Sequence, residues 1–363
     1  MCPLTSANQI KKILLVRTDR LGDVILTLPM LAAIRACFPE AHIAMLLRRY
    51  TGEIVEGNPH VDELIWYDNP AGQLLSFRAM RRIIKDKKFD AVIVVYPRLR
   101  LSWLMFRSGI PTRIGTGYRY YSFLFNHKVF EHRRDARRHE VEYNLNLLGE
   151  LGCPTSPDNV RFEIEIPPEA TVAIVKMLKN LHLDPAKELV VVHPGSGGSA
   201  REWPLQNFSK LVVKLITERN AHVLVTGGKG EERKVAEILL ASHGLAIPLV
   251  NKLNLKELAA LYKTSNLFIS NSTGPLHLAV AVGTPVVGLF PQITALSAKR
   301  WGPYSGVRKV LVPDRPVDCS DCIRSNGEHC ACMQSITVDD VYEASCSVLD
   351  SAHGRQGEEM GHA

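Results

Sequence analysis

Residues 10–23, IKKILLVRTDRLGD, decide the fold class of this chain. The apolar run ILLV (13–16) has no polar alternation, which is typical of a strand covered by helices on both faces of a parallel sheet. The polar turn RTDRLGD (17–23) follows, and the helical pattern VILTLPMLAAIRACF (24–38) comes directly after it. The opening of the chain therefore predicts a strand, a turn and a helix.

The same alternation recurs along the chain. It predicts further buried strands at 42–47, 89–97, 188–195, 222–228, 266–271 and 285–290. Strands that alternate with helices indicate an α/β fold with parallel sheets and ligand sites at the carboxyl ends of the strands. The stretch 152–170 holds four prolines and no helical period, which is typical of a linker. We predict two open α/β domains, 10–168 and 169–350, with a cleft between them and a disordered tail at 351–363.

Composition places the chain among globular proteins. It has 363 residues, of which 46% are hydrophobic and 22% charged, enough for two domains with sizeable cores. No uncharged apolar run reaches 18 residues, and the N-terminal residues lack the apolar core of a signal peptide. We therefore expect a cytoplasmic protein whose eight cysteines are reduced.

The positive charge is concentrated in one segment. The net charge is +7, and the segment from Arg98 to Arg138 holds ten Lys and Arg residues against two acidic ones. Such a patch indicates an anionic partner, which can be nucleic acid, an acidic membrane surface or a phosphorylated substrate. A solvated positive face is the alternative.

The first candidate site is the turn after the first strand. Gly22 permits a tight turn, and Asp23 lies where the next helix begins. An Asp in this position can be a helix N-cap, and a cap alone would explain it. At the carboxyl end of a strand it is also well placed to act as a general base.

The second candidate site is the loop HPGSGGSAREWP (193–204). Successive small residues, with Ser196 and Gly197 among them, expose backbone N–H groups, and Arg201 adds a cation. Such a loop can hold a diphosphate. It is neither a GxGxxG motif nor a P-loop, and a flexible glycine turn is the alternative.

The third candidate site lies in SNSTGPLHLAVAVGTPVVGLF (270–290). Ser272, Thr273 and Gly274 come at the start of a helix, where N–H donors and the helix dipole favour anions. His277 lies one turn further on, and a structural role is its alternative. Loops two and three belong to the same predicted domain, so we expect them to converge on one anion.

The cysteines near the end form the pattern CxxC–x7–CxC, at Cys319, Cys322, Cys330 and Cys332. The first pair has zinc-site spacing, but the second pair does not match a usual second zinc knuckle. Structural thiols, a zinc site and a redox pair remain open.

Taken together, these motifs resemble glycosyltransferase family 9, the ADP-heptose:lipopolysaccharide heptosyltransferases. The matching segments are ILLVRTDRLGDVILTLP (13–29), RIGTG (113–117), HEVEYNLNLLGELG (139–152) and the loops at 193–204 and 270–290. The resemblance implies a GT-B fold of two Rossmann-like domains, the N-terminal one for the acceptor and the C-terminal one for the nucleotide-sugar. It also implies inversion at the anomeric carbon without a required metal.

Carried over by motif, Asp23 would deprotonate the acceptor hydroxyl. Arg201 would take the place of a family Lys against the diphosphate, beside Ser196 and Gly197. Ser272, Thr273, Gly274 and His277 would line the donor phosphates. At Asn271 many relatives have Asp; an amide still accepts a hydrogen bond from a sugar hydroxyl but carries no charge, which bears on donor preference.

The resemblance implies transfer of heptose, or a related sugar, from ADP-heptose to the inner core of lipopolysaccharide. The basic segment then has an anionic acceptor, and the enzyme would contact the cytoplasmic face of the inner membrane peripherally. The expected acceptor-binding residues are Arg20, Arg98, Arg100, Arg113 and Arg119. Arginine binds such anions bidentately, and the interleaved aromatics suit sugars or a membrane interface.

Other activities remain as alternatives. A GT-B glycosyltransferase or epimerase that uses a UDP-sugar is the nearest of them. An NAD-dependent oxidoreductase is disfavoured because GxGxxG is missing, and nucleic-acid binding would leave the two donor loops unexplained. An inactive regulator of the same fold is a further alternative.

Overall fold

The computed structural model describes residues 10–156, 160–314 and 331–360. The chain divides into two compact units, Met1–Glu165 (unit 1) and Ile166–Ala363 (unit 2). The division falls within the proline-rich stretch 152–170.

Unit 1 is built on a six-stranded parallel sheet with the order β3-β2-β1-β4-β5-β6. Its strands are β1 (Lys12–Val16), β2 (His42–Leu47), β3 (Glu63–Trp66), β4 (Ala91–Val94), β5 (Thr112–Thr116) and β6 (His127–Val129). Its helices are α1 (Leu21–Ile25), α2 (Leu28–Cys37), α3 (Arg49–Gly52), α4 (Phe77–Lys87), α5 (Leu99–Arg107) and α6 (Glu140–Asn146). Short 3-10 helices lie at Ser122–Leu124, Arg133–Asp135 and Leu147–Leu151.

The core of unit 1 forms around the first strand. Leu14 pairs in register with Ala44 of β2 and with Val92 of β4, so β1 lies in the middle of the sheet. α4 is amphipathic and turns Met80 and Ile84 into the same core. Burial of each such aliphatic side chain contributes about 2 kcal/mol, which holds the helix against the sheet.

Unit 2 repeats this architecture with the order β12-β11-β10-β7-β8-β9. Its strands are β7 (Leu189–His193), β8 (His222–Gly227), β9 (Ile247–Val250), β10 (Leu267–Asn271), β11 (Val286–Leu289) and β12 (Arg308–Leu311). Its helices are α7 (Pro168–Asn180), α8 (Leu205–Thr217), α9 (Glu232–Ala241), α10 (Leu255–Thr264), α11 (Gly274–Ala281), α12 (Ala298–Trp301), α13 (Ala331–Gln334) and α14 (Val338–Met360). A 3-10 helix lies at Thr294–Leu296.

The predicted α/β class with parallel sheets is confirmed in both units. All seven strands predicted from apolar runs are present, and the helix predicted over 24–38 is divided into α1 and α2 around Leu26–Thr27. The sequence did not predict β3, β5, β6, β9 and β12. β3, β6, β9 and β12 lie at sheet edges, and β5 lies beside one. All five are short, and four of them, β3, β5, β6 and β12, also contain polar residues, so their apolar runs are too brief to be recognised.

The end of the chain corrects one prediction. The backbone of residues 351–360 continues α14, where the sequence predicted a disordered tail. The earlier part of α14 is anchored in the unit 2 core by Val341, Val348 and Leu349. A helix that is already nucleated extends at little further cost.

A disulfide corrects a second prediction. Cys37, the last residue of α2, is bonded to Cys153, which follows the 3-10 helix Leu147–Leu151. Their Cα atoms are 5.7 Å apart, which is within the usual range for a disulfide. The expectation that every cysteine is reduced is therefore wrong for this pair.

Candidate active site

A buried arginine organises the carboxyl end of β1. Arg17 follows β1 directly and is almost completely buried. Its Nε donates to the Asp19 carboxylate at 2.7 Å, and its Nη2 donates to the Asp23 carboxylate. Its Nη1 lies 3.5 Å from Asn144 Oδ1 and 3.9 Å from Glu140 Oε1. A guanidinium carries its donors in a rigid plane, so these partners fix its orientation and that of the two nearby aspartates.

Asp23 is not the N-cap of its helix. The N-cap of α1 is Arg20, and Asp23 lies in the first turn, where its carboxylate turns back to Arg17. Burial raises the pKa of Asp23 to about 6, and the negative charges of Asp19 and Glu140 act in the same direction against the attraction of Arg17. A carboxylate with a pKa near neutrality, one fifth exposed, is suited to accept a proton.

Two tyrosines lie beside this cluster. The Tyr50 hydroxyl donates to the Asp19 carbonyl at 2.7 Å. The Tyr96 ring has the guanidinium of Arg17 at 5.9 Å and that of Arg98 at 5.5 Å from its centroid. Both tyrosines are about half exposed, so they present aromatic surface next to Asp23. Sugar rings pack well on such surfaces, and the tyrosine hydroxyls can hydrogen-bond to them.

The predicted acceptor-binding arginines fall into two groups. Arg20, Arg98 and Arg119 are exposed. Arg100 instead donates to the Tyr67 hydroxyl and the Leu75 carbonyl.

Arg113 is also held by its own unit. It donates to the carbonyls of Leu124 at 2.8 Å and Ile110 at 2.5 Å. Arg100 and Arg113 therefore already satisfy backbone and side-chain acceptors of unit 1. Their expected role in acceptor binding stays a prediction.

In unit 2, the predicted glycine loop follows β7. Gly197 and Gly198 have φ values of +52° and +72°, which are strained for other residues. Gly195 has no room for a Cβ atom, because the Glu231 carboxylate occupies that position. Glu231 accepts hydrogen bonds from the backbone N–H of Gly197 at 3.3 Å and of Gly228 at 2.8 Å. The glycines therefore let the backbone of the loop approach the Glu231 carboxylate closely.

Ser196 and its neighbours are held by a second carboxylate. The buried Ser196 hydroxyl donates to Glu202 at 2.8 Å, and Lys234 donates to the same carboxylate. Gly198 N–H donates to the Ser196 hydroxyl at 3.2 Å. Arg201 is half-buried in this loop. The predicted donor residues Ser196, Gly197 and Arg201 thus lie in one ordered loop.

The third predicted site begins α11. Thr273 is the N-cap, and its hydroxyl accepts from the Leu276 N–H at 3.4 Å. Ser272 and Gly274 flank the cap and are half-buried, and His277 is buried in the first turns of α11. β10, which leads into α11, pairs directly with β7. The structure therefore brings the predicted loops two and three to neighbouring strand ends, as the sequence predicted.

Asn271 lies where β10 ends, and its side chain is held by the protein. It is completely buried at the end of β10. Its Oδ1 accepts from the Trp203 N–H at 2.8 Å, and its Nδ2 donates to the Pro194 carbonyl at 2.9 Å. Both polar groups join the two loops, and the role of Asn271 in donor binding stays a prediction. The amide donor is what the Pro194 carbonyl requires, and a carboxylate would not provide it.

Several of these residues were not predicted from the sequence. Arg17 is the basic residue that ends the first apolar run, and Tyr96 comes near the end of another, so their positions after buried strands were an available signal. Glu231 and Glu140 gave no such signal. Each approaches its site from a helical segment distant in sequence, which only the packed fold reveals.

The described part of the chain also bears on metal binding and on membrane insertion. Within residues 10–156, 160–314 and 331–360, no three His, Cys, Asp or Glu side chains gather into a metal-binding group. Cys319, Cys322 and Cys330 lie outside the described residues, and Cys332 is buried. Among the described residues, no helix combines the length and apolar character needed to cross a bilayer.

Two parallel α/β units, with anion-compatible loops after the strands of the second, define a GT-B glycosyltransferase fold. The chain belongs to glycosyltransferase family 9 (heptosyltransferase), whose profile matches residues 77–326. It is therefore a glycosyltransferase, as the sequence motifs indicated.

Individual relatives agree with this assignment. A protein of Haemophilus influenzae with a provisional glycosyltransferase name is 30% identical over 304 residues, covering 82% of this chain and 88% of that protein. Lipopolysaccharide heptosyltransferase 3 of Escherichia coli K12 is 28% identical, covering 77% and 82%.

Solved structures share the fold. A family 9 glycosyltransferase from Veillonella parvula superposes with a TM-score of 0.79 at 24% identity, covering 94% of this chain and 97% of that one. The E. coli ADP-heptose lipopolysaccharide heptosyltransferase II gives 0.77 at 19% identity, covering 94% and 99%.

Proposed function

We propose that this enzyme is an inverting glycosyltransferase that moves heptose, or a related sugar, from ADP-heptose to the inner core of lipopolysaccharide. Family membership and relatives named lipopolysaccharide heptosyltransferases support the substrate class. The observation that carries the mechanism is the Asp23 carboxylate, which Arg17 holds at the carboxyl end of β1.

In the proposed reaction, Asp23 is the general base. An unassisted sugar hydroxyl is a poor nucleophile at neutral pH, and a carboxylate with a pKa of about 6 is deprotonated there. Asp23 takes the hydroxyl proton while the oxygen attacks the anomeric carbon from the face opposite the leaving group. The bond between that carbon and the diphosphate breaks, and its electron pair leaves with the nucleoside diphosphate.

Unit 2 is proposed to hold the donor. Arg201, Ser196, Gly197, Ser272, Thr273, Gly274 and His277 are its proposed contacts. A cation and backbone N–H groups stabilise the negative charge that grows on the departing diphosphate, so no metal is required for this step. The bond from Gly197 N–H to Glu231 is long, at 3.3 Å, and a phosphate oxygen can take its place.

Unit 1 is proposed to bind the anionic acceptor through its exposed arginines, Arg20, Arg98 and Arg119. Arg98 is the best placed of them, because it shares the Tyr96 ring with the Arg17 guanidinium that contacts Asp23. Phosphates and carboxylates of a lipopolysaccharide core are suitable partners for arginine.

We also propose a peripheral contact of unit 1 with the cytoplasmic face of the inner membrane. The segment 96–138 carries exposed aromatic side chains, namely Tyr96, Trp103, Phe106, Tyr118, Tyr120, Phe123 and Phe130. Exposed arginines lie among them, namely Arg98, Arg107, Arg119, Arg134, Arg137 and Arg138. Aromatic rings suit the headgroup region, and arginines are attracted to anionic lipid. We call this set the basic-aromatic surface.

The proposed function is tested by turnover with ADP-heptose and a truncated lipid acceptor, read as product mass. We expect a product heavier by one heptose. Calorimetric titration with ADP, UDP and GDP identifies the nucleotide, and we expect ADP to bind most tightly. Preference for UDP, or product only from a UDP-sugar, would replace the ADP-heptose assignment by the nearest alternative.

The base is tested by Asp23→Asn, with Asp19→Asn as the matched control, because both carboxylates contact Arg17. We expect Asp23→Asn to lower kcat by about 100-fold or more, the usual scale for a general base, and Asp19→Asn to lower it far less. Near-normal turnover of Asp23→Asn would exclude Asp23 as the base.

A further inference from the structure

The segment HEVEYNLNLLGELG (139–152) lies against the Asp23 cluster. Helix α6 begins this segment, and two of its buried side chains, Glu140 and Asn144, point at Arg17. Asn144 Oδ1 lies 3.5 Å and Glu140 Oε1 3.9 Å from the same Nη1 atom. The two side chains are one helical turn apart, so they share a face of α6.

Arg17 is therefore held from two directions. Its Nε and Nη2 atoms face the aspartates of its own loop, and its Nη1 atom faces α6. Removing the α6 partners leaves one end of a buried guanidinium without its opposing acceptors. Such a group either turns away or draws other acceptors towards it, since a buried donor is costly to leave unsatisfied.

α6 is itself fixed in place. Arg133 donates to Glu140 at 2.5 Å and to Asn144 Oδ1 at 2.9 Å. Asn144 Nδ2 donates at 2.9 Å to the carbonyl of Leu26, which is the C-cap of α1. Since α1 carries Asp23, Asn144 contacts both the arginine that holds the carboxylate and the helix that bears it.

We propose that Glu140 and Asn144 are positioning residues of the transfer reaction, which hold Arg17 where it orients the Asp23 carboxylate. This inference rests on the proposed function, in which Asp23 is the base. Neither residue contacts substrate in this mechanism, and both act through Arg17.

Glu140 also contributes charge. The groups that face Asp23 are Arg17 and Asp19 on its own loop, Tyr50 beside that loop and Glu140 on α6, with Arg133 behind Glu140. The negative charge of Glu140 helps to raise the pKa of Asp23. Removing that charge without changing the shape of the side chain should therefore lower this pKa. A purely structural role would not predict a change of this sign.

The test compares Glu140→Gln and Asn144→Ala in the full chain. Glu150→Gln is the matched control, because Glu150 lies in the same segment but pairs with His127. The Asp23 carboxyl is titrated by carbon-13 NMR in Asp-labelled protein, and Asp23→Asn identifies its resonance. kcat, donor KM and thermal unfolding are measured on the same samples.

For Glu140→Gln we expect the Asp23 pKa to fall by about half a unit or more, since one like charge is removed. For Asn144→Ala we expect kcat to fall by about tenfold with donor KM within about twofold, as for a lost orienting contact. Glu150→Gln should change none of these quantities. If Glu140→Gln does not fold, the proposal is decided by Asn144→Ala alone. A lower kcat with an unchanged donor KM in that variant supports the positioning role, and wild-type kcat overturns it.

Two outcomes separate this inference from the proposed function. An inactive Asp23→Asn, combined with wild-type pKa and kcat in folded Glu140→Gln and Asn144→Ala, overturns the positioning role alone. Full turnover of Asp23→Asn overturns the base assignment, and the positioning role with it, even if the titration still shows that Glu140 and Asp23 interact.

Discussion

Asp23 ionises in surroundings that oppose its negative charge. Burial is the main cause, and Asp19 and Glu140 add repulsion, while Arg17 alone favours the ionised form. Residues that combine a perturbed pKa with a specific charged partner are frequent at functional sites. Here the perturbation has the sign that a base needs, because a higher pKa makes the carboxylate a stronger proton acceptor.

The pH dependence of kcat/KM follows from this pKa. A base must be deprotonated, so we expect kcat/KM to rise through about pH 6 and to level off above it. An ordinary Asp would place the rise near its usual value of about 4. The profile is measured at saturating acceptor from about pH 3 to about pH 8, a range that includes both values. Activity that is flat across pH 6 would contradict the assignment.

Stability should depend on pH in a related way. The folded-state pKa of Asp23 lies above its unfolded value, so its contribution to stability is full at low pH and is lost as the pH rises through about 6. Asp23→Asn should therefore gain stability relative to the wild type between pH 4 and pH 7. Chemical unfolding of both proteins at the two pH values checks this sign.

The arginines of unit 1 differ in what a substitution would change. Arg119 is exposed, whereas Arg113 donates to backbone carbonyls within unit 1. We expect Arg119→Glu to raise acceptor KM by about tenfold with donor KM unchanged, as for a lost charge-assisted contact. Arg113→Glu should lower the unfolding temperature instead. Equal effects of Arg119→Glu on both KM values would remove it from the acceptor site.

At the scale of elements, the short strands at the sheet edges could not be predicted from local sequence. The strand ELIW (63–66) at one edge has four residues and HKV (127–129) at the other has three, which is too short for a strand pattern to be recognised. Each forms a strand because its backbone hydrogen-bonds to an adjacent strand, β3 to β2 and β6 to β5. Pairing, which is a tertiary property, decides these elements.

The disulfide between Cys37 and Cys153 joins residues that are 116 positions apart. Closing so long a loop restricts the unfolded chain, and such a bond is worth about 2–4 kcal/mol. We expect Cys37→Ser, or reduction of the wild type, to lower the free energy of unfolding of unit 1 by about this amount without changing kcat. Reduction of Cys37→Ser itself should have no further effect on unit 1. Full alkylation of both cysteines in native, unreduced protein would show that the bond is not formed.

At the scale of the whole molecule, the basic-aromatic surface is a set of exposed rings and arginines within residues 96–138 of unit 1. The rings of Tyr120 and Phe123 are 80% and 71% exposed, and the exposed Arg119 precedes Tyr120 in the chain. Exposed aromatics of this kind usually mark an interaction site. A lipid-linked, anionic acceptor would bring this face to a membrane.

Vesicle flotation tests the membrane contact. We expect binding to vesicles that contain phosphatidylglycerol, weaker binding at high salt, and little binding to pure phosphatidylcholine. The double substitution Tyr120→Ala with Phe123→Ala should lower binding about tenfold, since it removes two interfacial anchors. Leu240→Ala is the control, because Leu240 is 80% exposed on α9 of unit 2. An equal loss in the control would mean that the contact is not specific to this surface.

The sequence by itself determined the central strands, the helical segment that follows β1, the family and the three loops after β1, β7 and β10. It did so because burial on both faces and tight turns leave strong local patterns. Only the tertiary structure decided that Arg100, Arg113 and Asn271 are held by the protein, and that Glu140 and Asn144 face Arg17. A polar side chain is defined by the partners it meets, and those partners lie as many as 127 positions away along the chain. Apolar periodicity predicts which residues are buried, but it does not predict which hydrogen-bond donor pairs with which acceptor.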